Sequence, residues 1–261
     1  MGSAEPFVRT ERDARGVVTL TLNRPQTFNV LSEGMLTALQ TELDAVAQDE
    51  TARVVVLAAE GRAFCAGHDL KEMRAEPSLA YYEALFAQCT QVMLSLQRLD
   101  VPVIARVQGI ATAAGCQLVA MCDLAVAAST ATFAVSGVNL GLFCSTPSVA
   151  LARNVPRKQA MEMLLTGDFI DAQVALARGL VNRVVAPDAL DAEVDLLVLR
   201  IVSKPRVAIA MGKAQFYANV EVGIEHAYAI AGQAMACNMM DAAALEGVQA
   251  FIEKRPARWG G

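Results

Sequence analysis

Two stretches of this 261-residue chain place small residues where a strand gives way to a helix: Phe64-Cys65-Ala66-Gly67-His68-Asp69 and Ala111-Thr112-Ala113-Ala114-Gly115. Small side chains let a ligand approach the backbone, and the unpaired N–H groups of a helix N-terminus attract negative charge. Two such amides aimed at one point make an oxyanion hole, which stabilises charge developing on a carbonyl oxygen. The same residues also serve close packing of a helix on a sheet, and pattern alone leaves both readings open. Side chains able to exchange protons nearby are few. His68 has the residue type that titrates near neutral pH, but it can equally cap a helix or touch a ligand. Asp69 reads as a helix N-cap. Cys144 has no visible base to form its thiolate, and Ser145 lacks the G-x-S-x-G turn of serine hydrolases. Six cysteines (65, 89, 116, 122, 144, 237) contain no C-x-x-C pair and read as small buried hydrophobes, so no metal site is expected.

The elements that position these loops follow from periodicity. Gly16 to Leu22 alternates apolar and polar residues as a half-buried strand does, and Asn23-Arg24-Pro25 ends it. Ser32 is placed to cap a helix whose Met35, Leu36, Leu39, Leu43 and Val46 share one face. Val54 to Ala58 is a continuous apolar run, as in strands covered on both sides. A helix is predicted from about Leu79 to Leu99, a strand from Val103 to Val107, a helix opening at Ala113-Ala114-Gly115, and a strand from Cys122 to Ala128. This alternation implies a largely parallel α/β architecture. Beyond Thr146-Pro147 the pattern is mostly helical, with Gly167 and Gly179 as helix C-caps, a short strand from Leu180 to Val185, and a break at Lys204-Pro205. No linker-like segment interrupts the chain. We therefore expect one domain over residues 1–261, with an α/β core over about 1–187 and a helical C-terminal region over about 188–261.

Composition narrows the partners. With 54% hydrophobic and 19% charged residues the chain has the make-up of a packed globular protein. A net charge of −5 with dispersed Lys and Arg argues against nucleic acid or an anionic membrane as partner. The most apolar run, Val101 to Ala128, is interrupted by Arg106, Gln108, Gln117 and Asp123, short of the ~18 uninterrupted apolar residues of a membrane span. Met1 to Arg15 carries charges of both signs and no apolar centre, unlike a secretory signal or transit peptide, so a cytoplasmic protein is expected.

At the small-residue loops the chain resembles the enoyl-CoA hydratase/isomerase (crotonase) superfamily. The likeness runs from Leu22-Asn23-Arg24-Pro25 with Asn29, through Gly61 to Met73, Pro102 to Gly109, Ala114 to Leu118 and Met121-Cys122-Asp123, to Glu162 to Gly167, Gly179-Leu180-Val181 and Phe251 to Arg255. Gly-His-Asp-Leu, Ala-Ala-Gly-Cys-Gln-Leu and Gly-Leu-Phe-Cys-Ser-Thr-Pro are most similar to one branch, the enoyl-CoA hydratase domain-containing proteins. The resemblance implies a spiral of ββα units with a helical C-terminal trimerisation region, a homotrimer or dimer of trimers, and an acyl-CoA thioester as ligand. Coenzyme A enters as part of that ligand, and no separate cofactor is implied.

The same resemblance assigns residues. The two oxyanion-hole amides map to Ala66 and Ala114, the second being glycine in most members. Arg24, Lys71 and Lys254, the last across a subunit contact, would meet the CoA phosphate and adenine, although each also reads as a solvated surface charge. Phe28, Gly67, His68, Asp69, Asn139 and Ser145 complete the expected binding set. Hydratases of the family carry two glutamates whose positions read here as Gln117 and Gly137. Gln cannot exchange a proton and Gly has no side chain, so ordinary hydration is expected to be weak. Restoring both glutamates is the change expected to revive it. Val135 to Gly141 loosely resembles the dihydroxynaphthoyl-CoA synthases, in which a glycine leaves room for a bicarbonate base. Three functions stay open: an altered lyase or isomerase, a binding protein without turnover, or ordinary hydration.

Overall fold

The structure is a computed structural model and describes residues 5–75 and 77–259; Met1 to Ala4 of the N-terminal stretch lie outside it. In chain order the first half comprises β1 (Val8–Arg12), β2 (Val17–Leu22), α1 (Glu33–Ala47), β3 (Val54–Ala59), β4 (Ala63–Cys65), α2 (Leu70–Ala75), α3 (Leu79–Arg98), β5 (Val103–Val107), β6 (Ile110–Thr112) and α4 (Ala114–Met121). There follow β7 (Leu124–Ala128), β8 (Thr132–Ala134), α5 (Ser145–Asn154), α6 (Arg157–Thr166), β9 (Ile170–Asp171), α7 (Ala172–Ala177) and β10 (Arg183–Val185). The C-terminal helices are α8 (Leu190–Val202), α9 (Arg206–Val220), α10 (Ile224–Met239) and α11 (Ala242–Ile252).

A six-stranded sheet has the order β1-β2-β3-β5-β7-β10, parallel except for the antiparallel β1/β2 pair. A four-stranded sheet has the order β4-β6-β8-β9, with only β8/β9 antiparallel. Each turn of the spiral lays one strand in the large sheet and the next in the small one before a helix returns the chain: β3-β4, β5-β6 and β7-β8. This is the expected ββα spiral.

Local signals explain the framework. The Ser32 hydroxyl accepts the Met35 N–H at 3.1 Å and starts α1, whose Met35, Leu36, Leu39, Leu43 and Val46 are all buried. Every residue of β3 is buried, as its continuous apolar run predicts. One face of the large sheet packs on α1, α3 and α4; the other is partly covered by Leu190, Val194, Leu197 and Val198 of α8. Gly167 caps α6 in the left-handed conformation (φ 67°). Five of the six cysteines are buried free thiols, but Cys237 is exposed on α10, which corrects its reading as a buried hydrophobe.

The C-terminal region is tied to the core through a buried charge. Lys213 of α9, 9% exposed, donates to Asp123 Oδ2 at 2.7 Å and to the carbonyls of Leu96 (2.9 Å) and Val101 (3.0 Å). Asp123 also accepts the Tyr217 hydroxyl at 2.8 Å and the Val103 N–H at 2.7 Å. Burial pulls the Lys213 pKa down while Asp123 opposes it.

Candidate functional site

Three junctions leave the small sheet: residues 66–69 after β4, 113–114 after β6, and 135–144 after β8. They converge on one cavity of about 210 Å³. Ala66, His68, Ala113 and Ala114 line it from the first two junctions, and Ser136, Gly137, Cys144 and Ser145 from the third. Leu70, Leu140, Leu142 and Phe143 also line it while remaining exposed, so they mark its mouth. A larger groove, about 630 Å³, lies over the large sheet, but ion pairs such as Arg9–Glu60 and Arg15–Asp195 already engage most of its charged side chains.

The backbone donors of the first two junctions can be assigned one by one. The Ala66 N–H donates to the Phe28 carbonyl at 3.1 Å, and the Gly67 N–H is directed at the Cys65 sulfur. The Ala113 N–H remains in the sheet, donating to the Ala134 carbonyl at 2.9 Å. Among the described residues the N–H groups of His68 and Ala114 have no acceptor, and both residues line the cavity. The expectation for Ala66 is therefore corrected, because its amide is already spent on a carbonyl 38 residues upstream. The Ala114 amide is left free. The two junctions touch: a methyl on Gly67 would lie 2.9 Å from Ala113 Cβ and 3.4 Å from the Ala114 nitrogen. Ala113 has φ 51° and ψ −121°, a glycine-favouring conformation that separates its own sheet-bound N–H from the next, helix-opening one.

The first junction is held from upstream. Leu31 N–H donates to the Gly67 carbonyl at 2.7 Å. Asn29, fully buried, accepts the Arg24 N–H at 2.8 Å and donates to the carbonyls of Glu60 and Ala63, each at 2.9 Å.

Proton chemistry in the cavity is sparse. The His68 ring packs edge-on against Phe86 at 5.4 Å, and its buried Nε2 has no partner. Burial lowers its pKa to about 4, so the imidazole is neutral at pH 7 and a weak base. Burial raises the Cys144 thiol pKa, with the Gly137 N–H at 3.3 Å opposing, so the thiol stays protonated. Asp69 Oδ1 accepts the N–H groups of Lys71 (2.8 Å) and Glu72 (3.4 Å); it caps α2 and does not line the cavity. Gln117 lies one turn along α4, 5% exposed and outside the lining, with Oε1 unpartnered. Among the described residues no Asp or Glu lines the cavity.

Gly137 is more than a missing side chain. A Cβ there would sit 2.4 Å from the Leu142 carbonyl oxygen and 2.8 Å from Cys144 Sγ. The space that a side chain at this position would enter is filled by the returning loop.

The remaining expected residues lie outside the lining. Arg24 donates to the carbonyls of Glu5, Pro6 and Asn23 and stacks on Phe7 at 4.0 Å. The Phe28 ring lies under the Arg62 guanidinium at 4.4 Å. Asn139 donates to the Gly167 carbonyl at 3.3 Å, bracing the α6 cap. Lys71 is exposed beside the mouth, and Lys254 is exposed just past α11. Ser145 lines the mouth, its hydroxyl near the Phe143 carbonyl at 3.4 Å. Sequence reasoning had not singled out Ser136 or the apolar mouth residues, which carry no signal beyond their proximity to Gly137.

Comparison with known proteins agrees with this fold. The family model for enoyl-CoA hydratase/isomerase matches residues 12–261. A crystal structure of an enoyl-CoA hydratase from Mycobacterium smegmatis is 68% identical with a TM-score of 0.97, covering 98% of this chain and 99% of that one. The structure of human enoyl-CoA hydratase domain-containing protein 3 is 44% identical with a TM-score of 0.93, covering 98% and 100%. The rat protein of that name is 43% identical over 98% of this chain and 85% of its own length. A crotonyl-CoA hydratase from Syntrophomonas wolfei is 32% identical over 93% of this chain and 94% of its own. The rat, mouse and human relatives are named as mitochondrial, which overturns the cytoplasmic expectation. Buried free thiols suit any reducing compartment and did not select the cytoplasm. By the family match and by identities above 30% across nearly the whole chain, this protein belongs to the enoyl-CoA hydratase/isomerase, or crotonase, family.

Proposed function

We propose that the protein binds an acyl-CoA thioester with its carbonyl oxygen between the N–H groups of His68 and Ala114, and that it hydrates enoyl thioesters feebly. One observation carries this: His68 and Ala114, both with unpaired N–H groups, line the cavity from two junctions that touch, and no described residue that lines it is an Asp or Glu. The name of the crotonyl-CoA hydratase relative supports a thioester ligand. The coenzyme A portion would leave by the mouth past the exposed Lys71, with Arg24 and Lys254 as further candidates; no separate cofactor is invoked. A binding role is favoured over an altered lyase or isomerase because neither titratable group in the lining, His68 nor Cys144, is poised near pH 7.

Titration calorimetry with a panel of acyl-CoAs tests the reading, supported by thermal shift. A ligand at about 100 times its Kd should stabilise by about 2.7 kcal/mol. No response from any member at millimolar concentration refutes it. Crotonyl-CoA hydration should run about 10² to 10⁴ slower than in carboxylate-bearing relatives, and an equal rate would show that another group acts as base.

The assembly proposed is a homotrimer or dimer of trimers. No residue of helix α10 is fully buried within the chain, and Ile224 (72%), Tyr228 (75%) and Met235 (71%) are exposed. Such a contiguous apolar face is expected to be covered by another copy. A monomer in sedimentation at micromolar concentration overturns this.

A further inference from the structure

We propose that Ser136, backed by Thr112, is a specificity-determining residue that recognises a neutral oxygen function, hydroxyl or keto, on the acyl chain next to the thioester carbonyl. The proposal rests on the thioester reading above.

The Ser136 and Thr112 hydroxyls lie 2.9 Å apart, and neither makes another side-chain hydrogen bond among the described residues. Two hydroxyls carry two protons and this contact uses one. Whichever oxygen donates, one O–H and spare lone pairs remain. Thr112 does not line the cavity and Ser136 does, so the spare capacity of the pair opens through Ser136.

Its place in the fold puts it beside the carbonyl site. Thr112 ends β6 in register with Ala134 of β8, and Ser136 follows Ala134 by two residues. The Ala113 N–H, donating to Ala134, closes this ladder, and the next amide is the free one of Ala114. The hydroxyl pair thus spans the two strands that deliver the amide. Beside that amide it meets the first carbons of an acyl chain bound as proposed above.

The oxygen recognised is uncharged. No Lys or Arg lines the cavity, and His68 is neutral there, so a carboxylate held inside would be desolvated without a counter-ion. A saturated chain would instead leave the spare Ser136 O–H without a partner, the situation in which a polar site discriminates against an apolar analogue.

The test compares Kd values for 3-hydroxybutyryl-CoA, acetoacetyl-CoA, butyryl-CoA and malonyl-CoA by calorimetry on the intact protein, Ser136→Ala and Thr112→Val. Wild type should prefer the two oxygenated neutral ligands over butyryl-CoA by about three- to tenfold, the worth of one neutral hydrogen bond, with malonyl-CoA weakest. Ser136→Ala should bring the preference ratio to about one. Thr112→Val, which keeps the serine but frees its rotor, should lower the ratio partway and serves if the first variant misfolds. Butyryl-CoA binding without any preference in wild type, or equal loss for all ligands in Ser136→Ala, overturns this proposal alone. If wild type binds none of the four, the thioester reading falls and this proposal with it.

Discussion

Replacing Gly137 by alanine tests whether the second glutamate position is empty or closed. The added Cβ would lie 2.4 Å from the Leu142 carbonyl oxygen and 2.8 Å from Cys144 Sγ. An ordinary carbon-to-oxygen contact is about 3.3 Å or more, so the carbonyl would have to retreat by roughly 0.9 Å. That carbonyl belongs to a loop held by the Leu142 N–H on the Gly137 carbonyl (3.0 Å) and the Gly141 N–H on the Val138 carbonyl (3.0 Å). Overpacking of this kind costs about 1 to 3 kcal/mol. In a chain of this size each kcal/mol lowers Tm by roughly 2 to 4 °C. Cys144→Ala added to Gly137→Ala removes the sulfur contact but not the tighter carbonyl contact, so it should recover less than half of the loss. Urea unfolding and calorimetric melting of the two single variants and the double variant measure this. A Gly137→Ala protein within about 0.5 kcal/mol of wild type would refute the closed position. So would a Gly137→Glu protein that folds and gains about 10²-fold in crotonyl-CoA hydration. The expectation that Gln117→Glu with Gly137→Glu revives a hydratase is accordingly revised: residues 137–144 would have to be rebuilt as well.

Three further outcomes are expected. Because the folded pKa of His68, about 4, lies below its ordinary value of 6.5, the unfolded chain binds the extra proton first. Its contribution is present above pH 6.5 and lost as pH falls toward 4, about 2 kcal/mol between pH 7.5 and 5; urea midpoints in His68→Phe should lack that component, and an unchanged pH slope would contradict it. Lys213→Met should destabilise by about 3 to 5 kcal/mol in denaturant unfolding, because Asp123 is left buried without its cation; a loss under about 1 kcal/mol would show the pair to be dispensable. Ala113→Gly should relieve about 1 to 3 kcal/mol of backbone strain against about 0.5 to 1 kcal/mol of added chain entropy, for a net gain near 1 kcal/mol. A fall in its melting temperature would mean that Ala113 is not strained.

What the sequence discloses is what local physics decides. The α1 face and its Ser32 cap, the buried β3 run, the Gly167 cap and the Lys204-Pro205 break each depend on a few neighbouring residues, and each is found where periodicity places it. The small sheet was not legible: β4, β6, β8 and β9 have two or three residues each, too few to show alternation, and exist only through pairing with distant partners. The same holds at the site. The motif points to a loop that lines the cavity, but which amide is free depends on Phe28, whose carbonyl reaches Ala66 only in the fold. Gly137 read as a deletion of chemistry, whereas a carbonyl five residues onward makes it a tightly filled position.

The bonds that join residues 28–31 to 66–67, with Asn29 clamped between Glu60 and Ala63, bear on how fast a ligand comes and goes. The loop that carries the His68 amide is held by these main-chain bonds, so a ligand bound as proposed would spend little free energy on ordering that side of the cavity. Any rearrangement on entry falls to the opposite wall, the 137–147 segment with its exposed Leu140, Leu142 and Phe143. Residence time should therefore be governed by that wall, and substitutions at the mouth should alter dissociation rates far more than substitutions around Asn29 that leave the fold intact.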